Sequence, residues 1–241
     1  MNTAGAAWDR IMSGFAAAPP PVIPVWEIVL IIAVAAGLSI PPVTWRWFGM
    51  FTTVVHEVGH ALAAMMTFQF VTGISLNGDH SGETRYYGRS RLARLWTGFW
   101  GYPVPAVAGT ALVTAGVSGY GPAAMSVTVI ILALTLLLIR NFTGLLIIGG
   151  SLASAAVLAL AVPPVFTGHV VIALGIALLI GAVRDLGKLI HVHFRRRDEL
   201  ESSDAYNLFR SSLIPSPLWI LAMTAVVGLS ILQAWAVIQN R

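Results

Sequence analysis

The chain has 241 residues, of which 57% are hydrophobic and 10% are charged, and its net charge at pH 7 is +4. A soluble domain carries roughly 25% charged residues, so the composition excludes an ordinary soluble domain and predicts a polytopic membrane protein. The chain has no cysteine, which excludes disulfides, thiolate metal ligands and a cysteine nucleophile. The positive charge fits orientation in a bilayer and contact with anionic lipid, whereas we find no nucleic-acid motif.

Apolar runs of nearly bilayer length predict an all-α polytopic fold with about seven transmembrane helices. Prolines and glycines separate several of these runs. The predicted spans are 25–41, 47–68, 95–117, 122–139, 143–162, 166–192 and 218–238. We expect an N-terminal cytoplasmic segment at 1–24, without a cleaved leader because of its triple proline. A single transmembrane domain should follow over 25–241.

The distribution of positive charge predicts how the chain is oriented. If the N-terminus is cytoplasmic, twelve of the 14 Lys and Arg residues fall on that side. The two on the outside are then Arg46 and Arg241. The positive-inside rule therefore predicts a cytoplasmic N-terminus and an outside C-terminus. We expect a multi-pass integral protein of a bacterial cell membrane.

The segment after the second span, from Val71 to Tyr87, surrounds an Asn/Gly/Asp-rich loop with β-branched and aromatic residues. This pattern is typical of a small cytoplasmic β-hairpin. Its exposed edge could hold an extended peptide by strand addition. A plain connecting loop is the alternative.

The second span contains the pattern His-Glu-x-x-His at His56, Glu57 and His60. On a helix, residues i and i+4 lie on one face, so both imidazoles can reach one metal ion. Glu57 lies beside that ion, where a general base for metal-activated water belongs. Polar groups inside an apolar span are costly unless they are used. The pattern therefore predicts a Zn²⁺ site.

A catalytic zinc requires a third protein ligand, and Asp185 is the first candidate. His60 lies about eight residues, or roughly 12 Å, from the predicted cytoplasmic end of its span. Asp185 lies about ten residues, or roughly 15 Å, from the same membrane edge. Ion pairing with Lys188 or Arg184 is the competing interpretation of Asp185.

Asp204 is the alternative third ligand, although the serines before it indicate a helix N-cap ahead of the last span. Glu27, at the start of the first helix, is expected to be an interfacial or pairing residue. The remaining histidines are expected to be structural, since single histidines usually are. They are His80, His169, His191 and His193.

The His-Glu-x-x-His helix followed by a hairpin resembles the site-2 proteases, and in particular the compact site-2-protease-like branch. Three further stretches support this resemblance: Arg140–Gly144, Ser202–Ala205 and Ile214–Trp219. The resemblance implies an intramembrane zinc metalloprotease, with His56 and His60 as ligands, Glu57 as the base and Asn141 as a substrate-binding residue. The chain departs from the family where Asn-x-x-Pro and Asp-Gly are usual, because Gly144 and Gly149-Gly150 stand there.

The resemblance predicts an endopeptidase that cleaves membrane-anchored protein substrates within the lipid bilayer. The alternative is a non-proteolytic membrane scaffold or regulator with the same fold, which the missing Asp-Gly favours. A transporter is a third interpretation, since intramembrane acids and histidines also serve ion paths.

Overall fold

The computed structural model describes residues 20–195, 200 and 203–240, together with the single positions 5, 12 and 15. The described residues form nine helices and two strands. In chain order these are α1 (Val25–Ser39), α2 (Pro42–Met66), β1 (Phe70–Leu76), β2 (Gly82–Tyr87), α3 (Arg91–Phe99), α4 (Pro103–Val117), α5 (Gly121–Leu136), α6 (Phe142–Ala161), α7 (Pro164–Arg195), α8 (Asp204–Ser212) and α9 (Ser216–Gln239). Most of the predicted segment 1–24 lies outside the described residues, as do Arg196 and Arg197.

The helices confirm a mostly helical membrane protein, but not seven separate spans. Among the described helices, α6, α7 and α9 are long and apolar enough to cross a membrane. Helices α1 and α2 meet at 88° and add a fourth span if they are taken as one broken element. Helices α4 and α5 are apolar but shorter. Pro41-Pro42 explains the break, because a proline removes a helical donor and disfavours helix in the residue before it.

Helices α1 and α7 run in the same direction. Near their starts, the Glu27 carboxylate lies 2.8 Å from Nε2 of His169. Where α1 ends, beside the second half of α7, Ser39 donates to the Ala177 carbonyl and Arg184 donates to the Ser39 carbonyl. Glu27 is thus a pairing residue as expected, but its partner is a histidine that the sequence placed on the opposite side of the membrane.

The start of α1 and the end of α9 lie at the same end of the helix bundle. Ile23 and Ile28, at the start of α1, line one small cavity with Ile238, at the end of α9. The predicted topology puts these segments on opposite sides, whereas in the described residues they lie at the same end of the bundle. The side of the membrane on which each terminus lies stays a prediction. Because hydropathy gives the length of a span but not its direction, the bend between α1 and α2 was not visible in the sequence.

The hairpin is confirmed: β1 and β2 pair antiparallel in one two-stranded sheet. A bulge lies between Val71 and Gly73. The outer edge of β1 is also partly covered, because Ile74 exchanges backbone hydrogen bonds with Leu138 and Arg140 at 2.8 and 2.9 Å.

Close helix packing holds the frame beneath the hairpin. A Cβ at Gly109 of α4 would lie 2.6 Å from the Gly175 carbonyl oxygen of α7, so these helices approach with no side chain between them. The largest buried cluster joins α1, α4, α7, α8 and α9, and a second joins α2 and β1 to α5 and α6. The functional residues described below lie where α2, β2, α3 and α8 meet.

Candidate metal centre

The His-Glu-x-x-His helix is confirmed as part of α2, with both histidines on one face. Nε2 of His56 lies 3.1 Å from Nε2 of His60. This proximity follows from the i, i+4 spacing on a helix. Glu57 and His60 are buried, and His56 is partly buried. The sequence therefore delivers two metal-ligating nitrogens to one point from a single element.

The third candidate ligand atom comes from α8. Oδ2 of Asp204 lies 3.2 Å from Nε2 of His56 and 3.2 Å from Nε2 of His60. Helix α8 begins at this residue because the Ser203 side chain caps it, accepting a hydrogen bond from the Tyr206 amide at 3.3 Å. The cap that the sequence predicted at Ser-Asp thus belongs to Ser203, which frees Asp204 to face the imidazoles.

Among the described residues, His56, His60 and Asp204 form a group that could hold a metal ion. Zinc binds nitrogen and carboxylate oxygen at about 2.0–2.2 Å in tetrahedral geometry, so neighbouring ligand atoms should be about 3.3 Å apart. The observed separations of 3.1, 3.2 and 3.2 Å fit this geometry. The spacing and chemistry of the three donors therefore suit a zinc ion.

Gly101 leaves the room that such an ion needs. A Cβ at this position would lie 2.3 Å from Nε2 of His60 and 2.6 Å from Nε2 of His56. Any side chain would therefore occupy the space in front of the two ligand nitrogens. Glycine is required here for close approach rather than for an unusual backbone angle.

The backbone of α3 fixes the tautomer of His60. Nδ1 of His60 lies 2.8 Å from the Thr97 carbonyl oxygen, so this nitrogen donates, and Nε2 is the nitrogen that faces His56 and Asp204. The amide of Gln69 donates to the Thr97 hydroxyl and to the Ala93 carbonyl, which ties α3 to the end of α2. The sequence did not predict Thr97 as a partner, because a backbone acceptor has no sequence pattern.

Electrostatics keep Asp204 in its ligand form. Burial acts to raise the pKa of this carboxyl, but the imidazoles of His60 and His56 outweigh burial and hold the pKa well below its usual range. Asp204 is therefore a carboxylate at neutral pH, which is the form that binds metal.

Glu57 lies beside the three-ligand group and is not a member of it. Its carboxylate accepts a hydrogen bond of 2.6 Å from the Thr84 hydroxyl of β2. A Cβ at Gly82 would lie 2.6 Å from Oε1 of Glu57, so this strand covers the carboxylate closely.

The structure does not bring Asp185, the first candidate, into the group. The alternative candidate, Asp204, lies beside the two histidines instead. Asp185 was preferred because its estimated depth in the membrane matched that of His60, and this is the depth argument. Asp185 lies on α7, half-buried. The depth argument compared distances along helices from a common membrane edge. It could not anticipate that the short helix α8 delivers a carboxylate from outside the long spans.

The side chain of Asn141 is engaged with β1. Its amide nitrogen donates to the Leu76 carbonyl at 2.8 Å, and its oxygen accepts from the Leu76 amide at 3.1 Å. Asn141 thus extends the pairing that Leu138 and Arg140 make with Ile74. Its predicted substrate contact stays a prediction.

The other histidines lie away from the group. His80 occupies the hairpin turn, with its ring centroid 5.9 Å from that of Trp45. His169 is paired with Glu27 at 2.8 Å. His191 and His193 lie near the end of α7. None of these four belongs to the metal-ligand group found among the described residues.

Tyr102 is a neighbour of the site that sequence reasoning missed. Its ring meets that of His56 edge-on at 4.7 Å. It follows Gly101 directly, in the turn before the proline that begins α4. Gly101-Tyr102-Pro103 was the available signal, because Gly and Pro mark turns, but the predicted span 95–117 ran through it.

The described residues thus combine helices apolar enough to cross a membrane with a group that could hold a metal ion, formed by two histidines of α2 and an aspartate of α8. The family model Peptidase_M50B, described as Peptidase M50B-like, matches residues 29–234. The chain belongs to this family, and the predicted membership of the site-2 protease family is confirmed. No curated protein and no solved structure matches the chain significantly.

Proposed function

We propose that the protein is an intramembrane zinc endopeptidase that cleaves membrane-anchored protein substrates. The observation that carries this proposal is the group of His56, His60 and Asp204, with Glu57 next to it on the same helix. Membership of a peptidase family supports it. When bound, zinc would polarise a carbonyl oxygen and lower the pKa of a coordinated water to about 7.

The protein's own residues then have distinct roles. His56, His60 and Asp204 hold the ion, and the Thr97 carbonyl orients His60. Glu57 accepts the proton of the attacking water and passes it to the leaving amine. Burial in the protein excludes bulk water, which strengthens each of these electrostatic interactions.

The open edge of β2 is the proposed place for the substrate backbone. Ile74 pairs with Thr84 in the sheet, yet the Ile74 amide and carbonyl bond outward to residues 138 and 140. In an antiparallel sheet, opposite residues exchange both hydrogen bonds or neither. The Thr84 amide and carbonyl must therefore also point outward, to the far edge of β2, where an extended substrate can pair with them.

A membrane-anchored substrate fits this arrangement because a helix that reaches the edge of β2 must first become extended. We further propose that the hairpin lies on the cytoplasmic side of a bacterial cell membrane. Arg184, near the basic end of α7, stacks on Trp45 at 4.4 Å, and Trp45 contacts His80 of the hairpin turn. The hairpin and this basic end therefore lie together, as the positive-inside rule expects of cytoplasmic segments.

A non-proteolytic scaffold was favoured by the missing Asp-Gly after Asn141. Asp204 supplies a carboxylate to the two imidazoles instead. The missing Asp-Gly is therefore a weaker argument for a protein without proteolytic activity.

The proposal is tested by comparing the wild-type protein with Glu57→Gln in cells, using mass spectrometry of new N-termini in the membrane proteome. Wild type should generate cleavages within or beside the spans of other membrane proteins, and Glu57→Gln should not. Both purified proteins should contain one zinc per chain. Equal cleavage by the two proteins would contradict the role of Glu57, and wild type without zinc would contradict the metal site.

A further inference from the structure

The resting position of the Glu57 carboxylate is set by the hairpin. Its Oε2 lies 2.6 Å from the Thr84 hydroxyl, and Glu57 as a whole is 4% exposed. The same hydroxyl lies 3.1 Å from the Glu57 backbone carbonyl. A hydroxyl has one proton to donate, and the shorter contact with the carboxylate is the better hydrogen bond. The remaining contact places Thr84 directly over the turn of α2 that carries the base.

The inner face of β2 is shaped around this carboxylate. Alternate residues of the strand, Gly82, Thr84 and Tyr86, are less exposed than the residues between them. A Cβ at Gly82 would come within 2.6–2.8 Å of three atoms of the Glu57 side chain. The strand therefore meets the carboxylate with one hydroxyl donor and one position that has no side chain.

Thr84 has a second function in the same strand. Its amide and carbonyl point to the open edge of β2, as the pairing of Ile74 shows. One residue thus faces the proposed substrate edge with its backbone and the base with its side chain. A shift of β2 upon strand addition would therefore move the hydroxyl that holds Glu57.

We propose that Thr84 is a positioning residue that holds Glu57 against β2 and couples the substrate edge of the hairpin to the general base. This inference rests on the proposed function for its catalytic consequence. The hydrogen bond itself does not depend on that function, so it can be tested by chemistry on Glu57 alone.

The first test measures labelling of Glu57 by dicyclohexylcarbodiimide in the purified full-length protein, quantified by mass spectrometry. Thr84→Val keeps the shape of the side chain and removes the donor. A hydrogen bond to a charged group changes the equilibrium between its bound and released forms about tenfold or more. The Glu57 carboxylate should therefore be released from β2 more often in Thr84→Val, and its labelling should rise about tenfold. Thr84→Ser keeps the hydroxyl and should label at the wild-type rate.

The matched control is Thr72→Val on β1, whose hydroxyl donates to the Arg85 carbonyl and does not touch Glu57. It should label as wild type does. Gly82→Ala is an independent variant, since its Cβ would displace the carboxylate from β2 while Thr84 is unchanged. It should also increase labelling, which tests whether the carboxylate rests against β2; if Thr84→Val does not fold, Thr84→Ala removes the same donor and decides the role of Thr84.

The second readout is the yield of new N-termini in cells, with zinc content measured on the same variants. Thr84→Val should lose most cleavage and keep its zinc, and Thr84→Ser should restore cleavage. Wild-type labelling in a folded Thr84→Val protein would overturn the proposal, as would Thr84→Ser behaving like Thr84→Val. If wild type itself produces no cleavage, the proposed function fails, while the labelling comparison still decides the role of Thr84.

Discussion

The carboxylate of Asp204 lies 3.2 Å from Nε2 of His60, across a sequence separation of 144 residues. This contact brings the short helix α8 to the internal helix α2. It completes a three-ligand group that neither helix could form alone. The contact also provides the most direct test of the metal centre.

Replacing Asp204 by Ala should remove zinc, and replacing Asp185 by Ala should not. Asp204 is one of the three proposed ligands, so its loss should weaken zinc affinity by more than about the 10–100-fold typical of outer-shell changes. The measurement is a chelator competition on purified variants, with His56→Ala as the reference for a lost ligand. Loss of zinc in Asp185→Ala but not in Asp204→Ala would show that Asp185 is the third ligand, as its depth in the helix predicted.

Gly101→Ala should abolish zinc binding without removing any ligand. The added Cβ would lie 2.3 Å from Nε2 of His60, inside the space that the ion needs. Gly149→Ala on α6 is the matched control, because nothing lies within 4 Å of a Cβ there. Zinc content by elemental analysis distinguishes the two. A fully loaded Gly101→Ala protein would show that the ion binds away from this position.

The start of α1 and the end of α9 should be exposed on the same side of the membrane, opposite to the hairpin turn. The chain has no cysteine, so single cysteines can be introduced directly at exposed positions. Suitable variants are Val22→Cys, Asn240→Cys and Asn77→Cys. A membrane-impermeant maleimide applied to intact cells should give the same result for Val22→Cys and Asn240→Cys, and the opposite result for Asn77→Cys. Opposite labelling of Val22→Cys and Asn240→Cys would support the topology predicted from charge.

Asn141→Ala should loosen the outer edge of β1 while zinc binding is retained. It removes both hydrogen bonds to the Leu76 backbone, and an unsatisfied buried polar group costs about 1–3 kcal/mol. Hydrogen exchange at the Leu76 amide should therefore accelerate. Asn77→Ala is the control, since its amide bonds only to Ser81 in the exposed turn. Unchanged exchange at Leu76 would leave substrate binding as the main role of Asn141.

Local features of this protein could be predicted from sequence, whereas the joining of distant segments could not. The His56–His60 pair follows from helical spacing, and the hairpin follows from β-branched residues around a turn. Pro41-Pro42 marked the end of the first helix correctly. It did not reveal the 88° bend that follows, because the angle depends on packing against α7.

The third ligand shows the same limit. Asp204 was read as part of a helix cap because Ser-Ser-Asp is a common cap pattern. A cap does indeed form there, through Ser203. What the pattern could not show is that α8 packs next to α3, whose Thr97 carbonyl meets His60. That relation depends on contacts between segments more than 100 residues apart.

Because Asp204 is on α8 and His60 is on α2, a bound ion would act as a cross-link between the internal and C-terminal parts of the chain. In metalloproteins, the free energy of metal binding contributes to folding when the site is not formed in the unfolded chain. Here the cross-link would add to the buried contacts that Ala205 and Leu208 give this nine-residue helix. Removal of the ion by a chelator would then cost the protein one attachment between α8 and α2 together with its chemistry.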